Sequence, residues 1–395
     1  MFKEFLNVIP KVTMLPDYDI KPEADWYGVK AMKYEGIKYK GKKTEIFSYI
    51  GYPENASNEK VPAMILVHGG GGHAYAHWVK IWNDRGYAAI AMDLRGAMPI
   101  ETEKGLIGTE VQRDDKFQPM PTYDDYIPMP DMACVYDENQ KITDWWFYQA
   151  IANVILAHNI FLNDPKIDSS KIGITGISWG GIVTSQVIAH DKRFAFAIPI
   201  YGSGYLNLSL SGVCRPFTKL PAARIWNMGS KYNDITFPIL WLCMDSDVAF
   251  DILPNSISYL QTKKSGSVLA IRPGADHSHV DGWNMEESYR FAQEVVDGNI
   301  TMVTPVSEPE GFGEVSFQIT SSNNVTATLY YLTETMRYTE DSKPDYTWQT
   351  LPCTITGNTV SVTIPENAEN YYISLTQEKD GIQYTTATSY IYCRT

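Results

Sequence analysis

The sequence has little of what marks a nucleic-acid-binding, metal-binding or membrane-spanning protein. Its 395 residues carry a net charge of −13 with a pI near 5.0. With no cluster of Lys or Arg, this acidity argues against phosphate-backbone partners. The longest apolar runs are too short and too interrupted to span a bilayer. We therefore expect neither a nucleic acid nor a membrane as partner.

Cysteine and histidine are sparse and unpatterned. The five cysteines are odd in number and widely spaced, without a C-x-x-C pair, so we interpret them as reduced thiols rather than a disulfide framework or zinc site. The seven histidines include no H-E-x-x-H. We expect no metal and no other cofactor.

The first 28 residues predict an irregular arm, because Pro10, Pro16 and Pro22 interrupt any helix. They lack the apolar core and small-residue cleavage site of a secretory signal. A cytoplasmic location is the expectation, with export after removal of a signal left open.

From residue 29 to 302, short buried strands alternate with helices. An antiparallel hairpin is followed by strands at 62–67 and 87–93, with a helical pattern between them. This alternation predicts an α/β fold with a mostly parallel central sheet and helices on both faces. Residues 97–142 break the rhythm, and we interpret them as a cap-like insertion, with a solvent-facing excursion as the alternative. Because 395 residues exceed the usual size of one core, a second domain is expected.

That second domain is predicted at residues 303–395. Short alternating runs there are separated by turns containing Gly, Asn, Pro or Asp. Such spacing is typical of a small all-β, sandwich-like domain.

One motif with chemical meaning is Gly176-Ile-Ser-Trp-Gly180. It lies between a run rich in isoleucine and a helical pattern, which is the strand–turn–helix context of a nucleophile elbow. The glycines fit a turn so tight that a Cβ would clash. Ser178 is therefore the predicted nucleophile.

A serine nucleophile needs a base and a group that orients the base. In this fold both should follow later strands, in the order Ser, acid, His. Asp247 follows the strand at 239–244 by a short turn, with Asp245 as its nearest competitor and Asp251 as a weaker one. His277 follows the last strand of the α/β part, among small residues, and is preferred over His279 as the base.

Two backbone N–H groups should stabilise the oxyanion of the tetrahedral intermediate. One is expected from Trp179, the residue after the nucleophile, and the other from Gly70 or Gly71 in the glycine loop 69–72. A phosphate cradle is the alternative for this loop, but it has neither G-x-G-x-x-G spacing nor a following lysine.

Several aromatic residues and histidines fall near predicted loops. They are candidate pocket residues, with ordinary core packing as the alternative: His73, Tyr201, Trp226, His279 and Trp283.

Residues of about 29 to 300 resemble the α/β-hydrolase superfamily, and within it the acetyl xylan esterase, cephalosporin-C deacetylase and dienelactone hydrolase branch. The resemblance is carried by Val67-His-Gly-Gly-Gly-Gly72, residues 85–93, Gly176-Ile-Ser-Trp-Gly-Gly181 and Gly274-Ala-Asp-His-Ser278. It implies Ser178 as nucleophile, Asp247 as the orienting acid and His277 as general base.

These observations favour a serine esterase that acts on short-chain, mainly acetyl, esters of small molecules or carbohydrates. A prolyl-oligopeptidase-like peptidase is one alternative, because it shares this arrangement. A carbohydrate-binding protein with an inactive hydrolase domain is another, motivated by the tyrosine-rich C-terminal part. Assembly into a homo-oligomer is left open.

Overall fold

A computed structural model describes residues 1–20, 22, 26–100, 117–123, 125–130, 139–218, 222–340 and 343–392. The chain divides into two compact units, Met1–Pro199 and Ile200–Thr395. Each unit is described separately below.

The first unit is built on a mixed sheet. Its strands are β1 (Val12–Met14), β2 (Lys30–Glu35), β3 (Glu45–Gly51), β4 (Val61–Val67), β5 (Ala88–Met92), β6 (Ala97–Pro99), β7 (Phe117–Pro119), β8 (Ile167–Ile177) and β9 (Phe196–Ile200), whose last residue begins the second unit. The sheet order is β1-β2-β3-β5-β4-β8-β9, and β6 pairs with β7 apart from it. The pairings β1–β2, β2–β3 and β3–β5 are antiparallel, whereas β4 is parallel to both β5 and β8.

In the described part of this unit, three helices cover the sheet: α1 (Ala76–Asn83), α2 (Trp146–Leu162) and α3 (Trp179–His190). Helix α1 contacts β3 and β5, while α2 and α3 contact β4 and β8. Strands β4 and β5 are almost entirely buried, which explains why their sequences are continuous apolar runs rather than alternating ones.

The second unit begins with another strand–helix–strand segment. Its elements up to residue 296 are α4 (Arg215–Thr218), α5 (Ala222–Trp226), α6 (Gly229–Tyr232), β10 (Leu240–Met244), α7 (Ile252–Thr262), β11 (Val268–Arg272), α8 (His279–Trp283) and α9 (Glu286–Val296). Ile200 at the end of β9 pairs in parallel with Leu242, and β10 is parallel to β11. The two strands therefore end at the same edge, where the loops 245–251 and 273–278 follow them.

The rest of the second unit is a β-sandwich. Its strands are β12 (Glu314–Gln318), β13 (Val325–Leu332), β14 (Gln349–Pro352), β15 (Thr354–Thr356), β16 (Thr359–Thr363), β17 (Asn370–Lys379), β18 (Ile382–Ala387) and β19 (Ile391–Tyr392). One sheet has the order β12-β16-β15; the other has β14-β13-β17-β18, with β19 also paired to β17. Phe317 and Val360 of the first sheet share a buried cluster with Leu329 and Ile373 of the second.

The predicted fold class is confirmed: a mixed sheet with covering helices, followed by an all-β sandwich. The prediction of an irregular arm was wrong at β1, which pairs with β2. Because β1 has only three residues, it is too short to produce a sequence pattern. The sequence pattern also gave no sign of α8. The domain boundaries after residues 28 and 302 stay predictions. The cap-like insertion also stays one, because residues 101–116, 124 and 131–138 lie outside the described part of the chain.

None of the helices in the described ranges is long and apolar enough to cross a membrane.

Candidate active site

Ser178 lies at a sharp turn between β8 and α3. Its backbone has φ 60° and ψ −122°, a conformation that costs free energy for any residue with a Cβ. The helix begins at once, since the N–H of Ile182 donates to the carbonyl oxygen of Ser178 over 3.0 Å. The turn therefore places Ser178 at the N-terminus of α3, as the motif predicted.

The two motif glycines are required by backbone packing. A Cβ on Gly180 would overlap the carbonyl oxygen of Val67 and lie 2.6 Å from that of His68. A Cβ on Gly176 would overlap the carbonyl of Gly180. The start of α3 thus packs directly on the end of β4, where the glycine loop begins.

That loop folds as a β-turn. The N–H of Gly72 donates to the carbonyl of Gly69 over 3.1 Å, and Gly71 has φ 70°, which a residue without a Cβ adopts at low cost. The bond that closes the turn uses the N–H of Gly72, so the N–H groups of Gly70 and Gly71 are not consumed by it. Both residues are exposed.

Two side chains that sequence reasoning missed hold this turn. The N–H of Leu94 donates to Nε2 of His68 over 2.9 Å, so the ring carries its proton on Nδ1, which donates to the carbonyl of Gly69 over 2.8 Å. Nη1 of Arg95 donates to the carbonyl of Gly71 over 3.2 Å. Such tertiary roles leave no spacing pattern in the sequence.

In the second unit, Asp247 and His277 form a close pair. Nδ1 of His277 lies 2.9 Å from each carboxylate oxygen of Asp247. The carboxylate is fully buried, and its Oδ1 also accepts the N–H groups of Ala249 (2.6 Å) and Phe250 (3.0 Å). This pairing orients the imidazole and directs proton exchange to its other nitrogen, Nε2.

The competing aspartates have other partners. Asp245 accepts the N–H of Gly274 over 3.2 Å, which joins the loops after β10 and β11. Asp251 accepts the Ser209 hydroxyl (2.7 Å) and the Leu210 N–H (2.8 Å). Burial raises the pKa of both carboxyl groups, against the opposing effect of these hydrogen bonds. Of the three aspartates, it is Asp247 whose carboxylate contacts His277.

Of the five pocket candidates, four lie in the second unit and one in the first. Tyr201 lies beside His277, with the two ring centroids 4.9 Å apart, and its hydroxyl donates to the carbonyl of Asp276 over 3.2 Å. His279 begins α8, and its ring is 6.3 Å from that of Trp283 at the end of that helix.

The remaining two pocket candidates are buried. His73, in the first unit, stacks on Phe117 at 3.9 Å, and Trp226 is 1% exposed at the end of α5. Phe250, whose ring lies 5.9 Å from that of His277, was not predicted.

Over the described ranges, no group of three or more His, Cys, Asp or Glu side chains could hold a metal ion.

Three features follow one another along this chain: a strained serine between strand and helix, an adjoining glycine turn, and a later Asp–His pair. Their kind and chain order are typical of α/β-hydrolases. In these features the chain resembles the serine hydrolases of the α/β-hydrolase superfamily.

Within that superfamily the chain resembles the acetyl xylan esterases. The family model Acetyl xylan esterase (AXE1) matches residues 11–206. Among curated proteins, "Uncharacterized peptidase YuxL" of Bacillus subtilis (strain 168) is 24% identical over 143 residues, which are 35% of this chain and 16% of that protein.

The chain is also similar to solved structures of an esterase and a peptidase. Acetyl Xylan Esterase 1 from Thermoanaerobacterium sp. JW/SL YS485 has TM-score 0.48 and 16% identity, covering 74% of this chain and 93% of that one. Pyrococcus horikoshii acylaminoacyl peptidase has TM-score 0.48 and 17% identity, covering 68% of this chain but 42% of the peptidase. The chain thus spans less than half of the length of each of these two peptidases. Because both TM-scores are below 0.5, the fold assignment rests on the strand order and register described above.

Proposed function

We propose that the protein is a serine carboxylesterase that hydrolyses short-chain esters, acetyl esters foremost, of small alcohols or carbohydrates. The observation that carries the proposal is the contact of His277 Nδ1 with both oxygens of the buried Asp247 carboxylate. The match of residues 11–206 to the acetyl xylan esterase family supports the acyl group and the carbohydrate alcohol.

In the proposed acylation, the Ser178 hydroxyl oxygen bonds to the ester carbonyl carbon while Nε2 of His277 takes its proton. Asp247 holds the imidazole in the required tautomer and stabilises the imidazolium that forms. The tetrahedral intermediate then collapses: the bond to the alcohol oxygen breaks, and His277 returns the proton to that oxygen. An acyl-enzyme on Ser178 remains.

Water completes the reaction. His277 removes a proton from water, the hydroxyl oxygen bonds to the acyl carbon, and the bond to Ser178 breaks with the proton returned to serine. In both halves the oxyanion would accept the N–H of Trp179 and of Gly70 or Gly71. The position of Trp179 supports this role, because the first residues of an α-helix direct their N–H groups out of the helix, where its dipole also favours negative charge.

Hydrolysis of p-nitrophenyl acetate tests the chemistry. Ser178→Ala should lower kcat by about 10⁴-fold or more and abolish labelling by a fluorophosphonate probe. The matched control is Ser185→Ala in the same helix, whose hydroxyl donates to the carbonyl of Ile182 and should be dispensable for turnover. Activity that survives Ser178→Ala unchanged contradicts the proposal.

A substrate panel tests the specificity. Acetyl, butyryl and longer p-nitrophenyl esters should be compared with acetylated xylo-oligosaccharides, cephalosporin C and an aminoacyl amide. We expect acetyl esters to give the highest kcat/KM. Faster cleavage of the amide would replace the esterase with a peptidase, and a folded protein that the probe does not label would indicate a binding role.

A further inference from the structure

Three aromatic side chains of the C-terminal part reach the loop that carries Asp247. The Tyr338 hydroxyl donates to the carbonyl oxygen of Asp247 over 2.8 Å. The Tyr346 hydroxyl and the Trp348 indole N–H both donate to the carbonyl of Asp245, over 3.1 and 2.9 Å. We name Tyr338, Tyr346 and Trp348 the aromatic clamp. It binds the loop backbone on both sides of Ser246.

The clamp is itself braced by aromatic packing. Trp348 meets the ring of Tyr372 on β17 at 5.1 Å, nearly perpendicular, and Tyr346 meets Trp348 in the same way at 6.1 Å. Tyr372 is fully buried, on the face of β17 opposite to that of Tyr371 and Ile373, which line the core of the sandwich. Burial raises the pKa of the Tyr338 and Tyr346 hydroxyls, so both remain protonated donors at neutral pH. The sandwich therefore supports the clamp as a fixed set of donors.

The hydrogen bonds within the loop 245–251 do not fix the position of that loop relative to the rest of the unit. Ala249 and Phe250, whose N–H groups bind the Asp247 carboxylate, belong to the same loop and move with it. The clamp instead ties the main chain of Asp247 to a separate layer of the fold. A shift of the loop by about 1 Å would change the distance and angle between the Asp247 carboxylate and the His277 imidazole. Misplacement of that size can lower the rate about 10²-fold.

We infer that the aromatic clamp is a positioning device for the catalytic acid. It sets the backbone of Asp247 so that the carboxylate meets His277, which makes the β-sandwich part of the hydrolytic machinery rather than a separate binding module. The inference rests on the proposed function, because it takes Asp247 as the triad acid.

Tyr338→Phe is the first test, because it removes one hydroxyl and keeps the ring. For p-nitrophenyl acetate we expect kcat to fall about tenfold while KM stays within about twofold, since the phenol positions the acid and does not bind substrate. The matched control is Tyr371→Phe, which removes another tyrosine-to-carbonyl bond of the sandwich, 2.9 Å long to Gly311. Tyr371→Phe should lower Tm by about as much as Tyr338→Phe does, and it should leave kcat unchanged.

A double-mutant cycle separates positioning from general stability. In an Asp247→Asn background the carboxylate is already lost, so Tyr338→Phe should change the rate of p-nitrophenol release by less than about twofold. Full additivity of the two changes, or an effect of Tyr338→Phe on kcat no larger than that of Tyr371→Phe, would overturn the inference.

If Tyr338→Phe does not fold, Trp348→Phe replaces it in the double-mutant cycle, because it removes the hydrogen bond to the Asp245 carbonyl. The same outcomes then support or overturn the inference. Failure of the proposed function looks different: Ser178→Ala would then keep its activity whatever the clamp variants do.

Discussion

Asp245 and Asp247 are two residues apart, yet the carboxylate of Asp245 binds the Gly274 N–H and that of Asp247 binds His277. Asp247→Asn should lower kcat by about 10⁴-fold, because an amide N–H₂ facing His277 Nδ1 favours the tautomer that cannot take the serine proton. Asp245→Asn keeps an oxygen that can accept the Gly274 N–H and should change kcat by less than about threefold. Steady-state hydrolysis of p-nitrophenyl acetate measures both. The reverse ranking would assign the catalytic role to Asp245.

Gly180 is a second residue whose role can be isolated. Gly180→Ala should cost about 3 kcal/mol or more in the free energy of unfolding, because its Cβ would meet the Val67 and His68 carbonyls of a buried strand end that cannot move aside. Gly298→Ala is the control. It has φ 76° but no atom within 4 Å of an added Cβ, so it should cost only about 1 kcal/mol. Denaturant unfolding compares them, and equal losses would contradict the steric explanation.

The sequence predicted features that a motif or a strand end determines, and missed contacts that no motif or strand end determines. The turn at Ser178 was predictable because the elbow needs glycines at fixed spacing around it. The pairing of Asp247 with His277 was predictable because both follow parallel strands that end at the same edge, whereas the catalytic roles of the three residues stay predictions. Tyr338 could not be found, since its contact joins positions 91 residues apart and no pattern encodes it.

At the scale of elements, α2 and α3 are linked by a buried charged group. Nδ1 of His158 on α2 lies 2.9 Å from the carboxylate of Asp191, the C-cap of α3, and Arg193 pairs with the same carboxylate at 2.6 Å. Burial lowers the pKa of His158, with Asp191 opposing and Arg193 adding to the effect. Burial alone would raise the pKa of Asp191, but hydrogen bonds from Arg193 and His158 bring it below its ordinary value.

The lowered pKa of His158 predicts destabilisation by mild acid. The unfolded chain takes up the proton near pH 6.5 and the folded chain only at lower pH, so this stability is present above pH 6.5 and is lost as the pH falls. The free energy of unfolding should fall by up to about 1.4 kcal/mol per pH unit between the two pKa values. The contribution of Asp191 is lost only below its unfolded pKa near 3.8.

Urea unfolding between pH 7 and 5 measures this dependence. His158→Gln cannot take up the proton and should show a flatter profile than the wild type. The same slope in both proteins would mean that other groups cause the loss.

Long buried elements were predictable and short ones were not. Strands β4 and β5 are continuous apolar runs because both faces are covered, and α2 is mainly apolar because it is buried around nearly its whole circumference. By contrast, α8 is five residues long and lies in a polar loop, where local pattern carries little information.

At the scale of the whole molecule, the composition suggested a boundary near residue 303, whereas residues 200–395 form one compact unit. Within that unit Glu287 of α9, 1% exposed, joins the two kinds of structure. Its Oε1 accepts Arg272 Nη1 of β11 over 2.9 Å and the N–H of Thr385 in β18 over 2.8 Å. Arg290 of α9 likewise donates to Gln377 of β17 over 2.8 Å.

These bonds predict that β11 and the sandwich open together. In native-state hydrogen exchange on the full chain, the slowest amides of β11 and β18 should exchange with free energies within about 1 kcal/mol of each other, because one cooperative unit has one opening free energy. Glu287→Gln removes the charge that Arg272 pairs with and should lower both values together, while Glu314→Gln on an exposed position of β12 should change neither. Exchange of β18 through an opening several kcal/mol cheaper than that of β11 would instead support a separate domain that begins near residue 303.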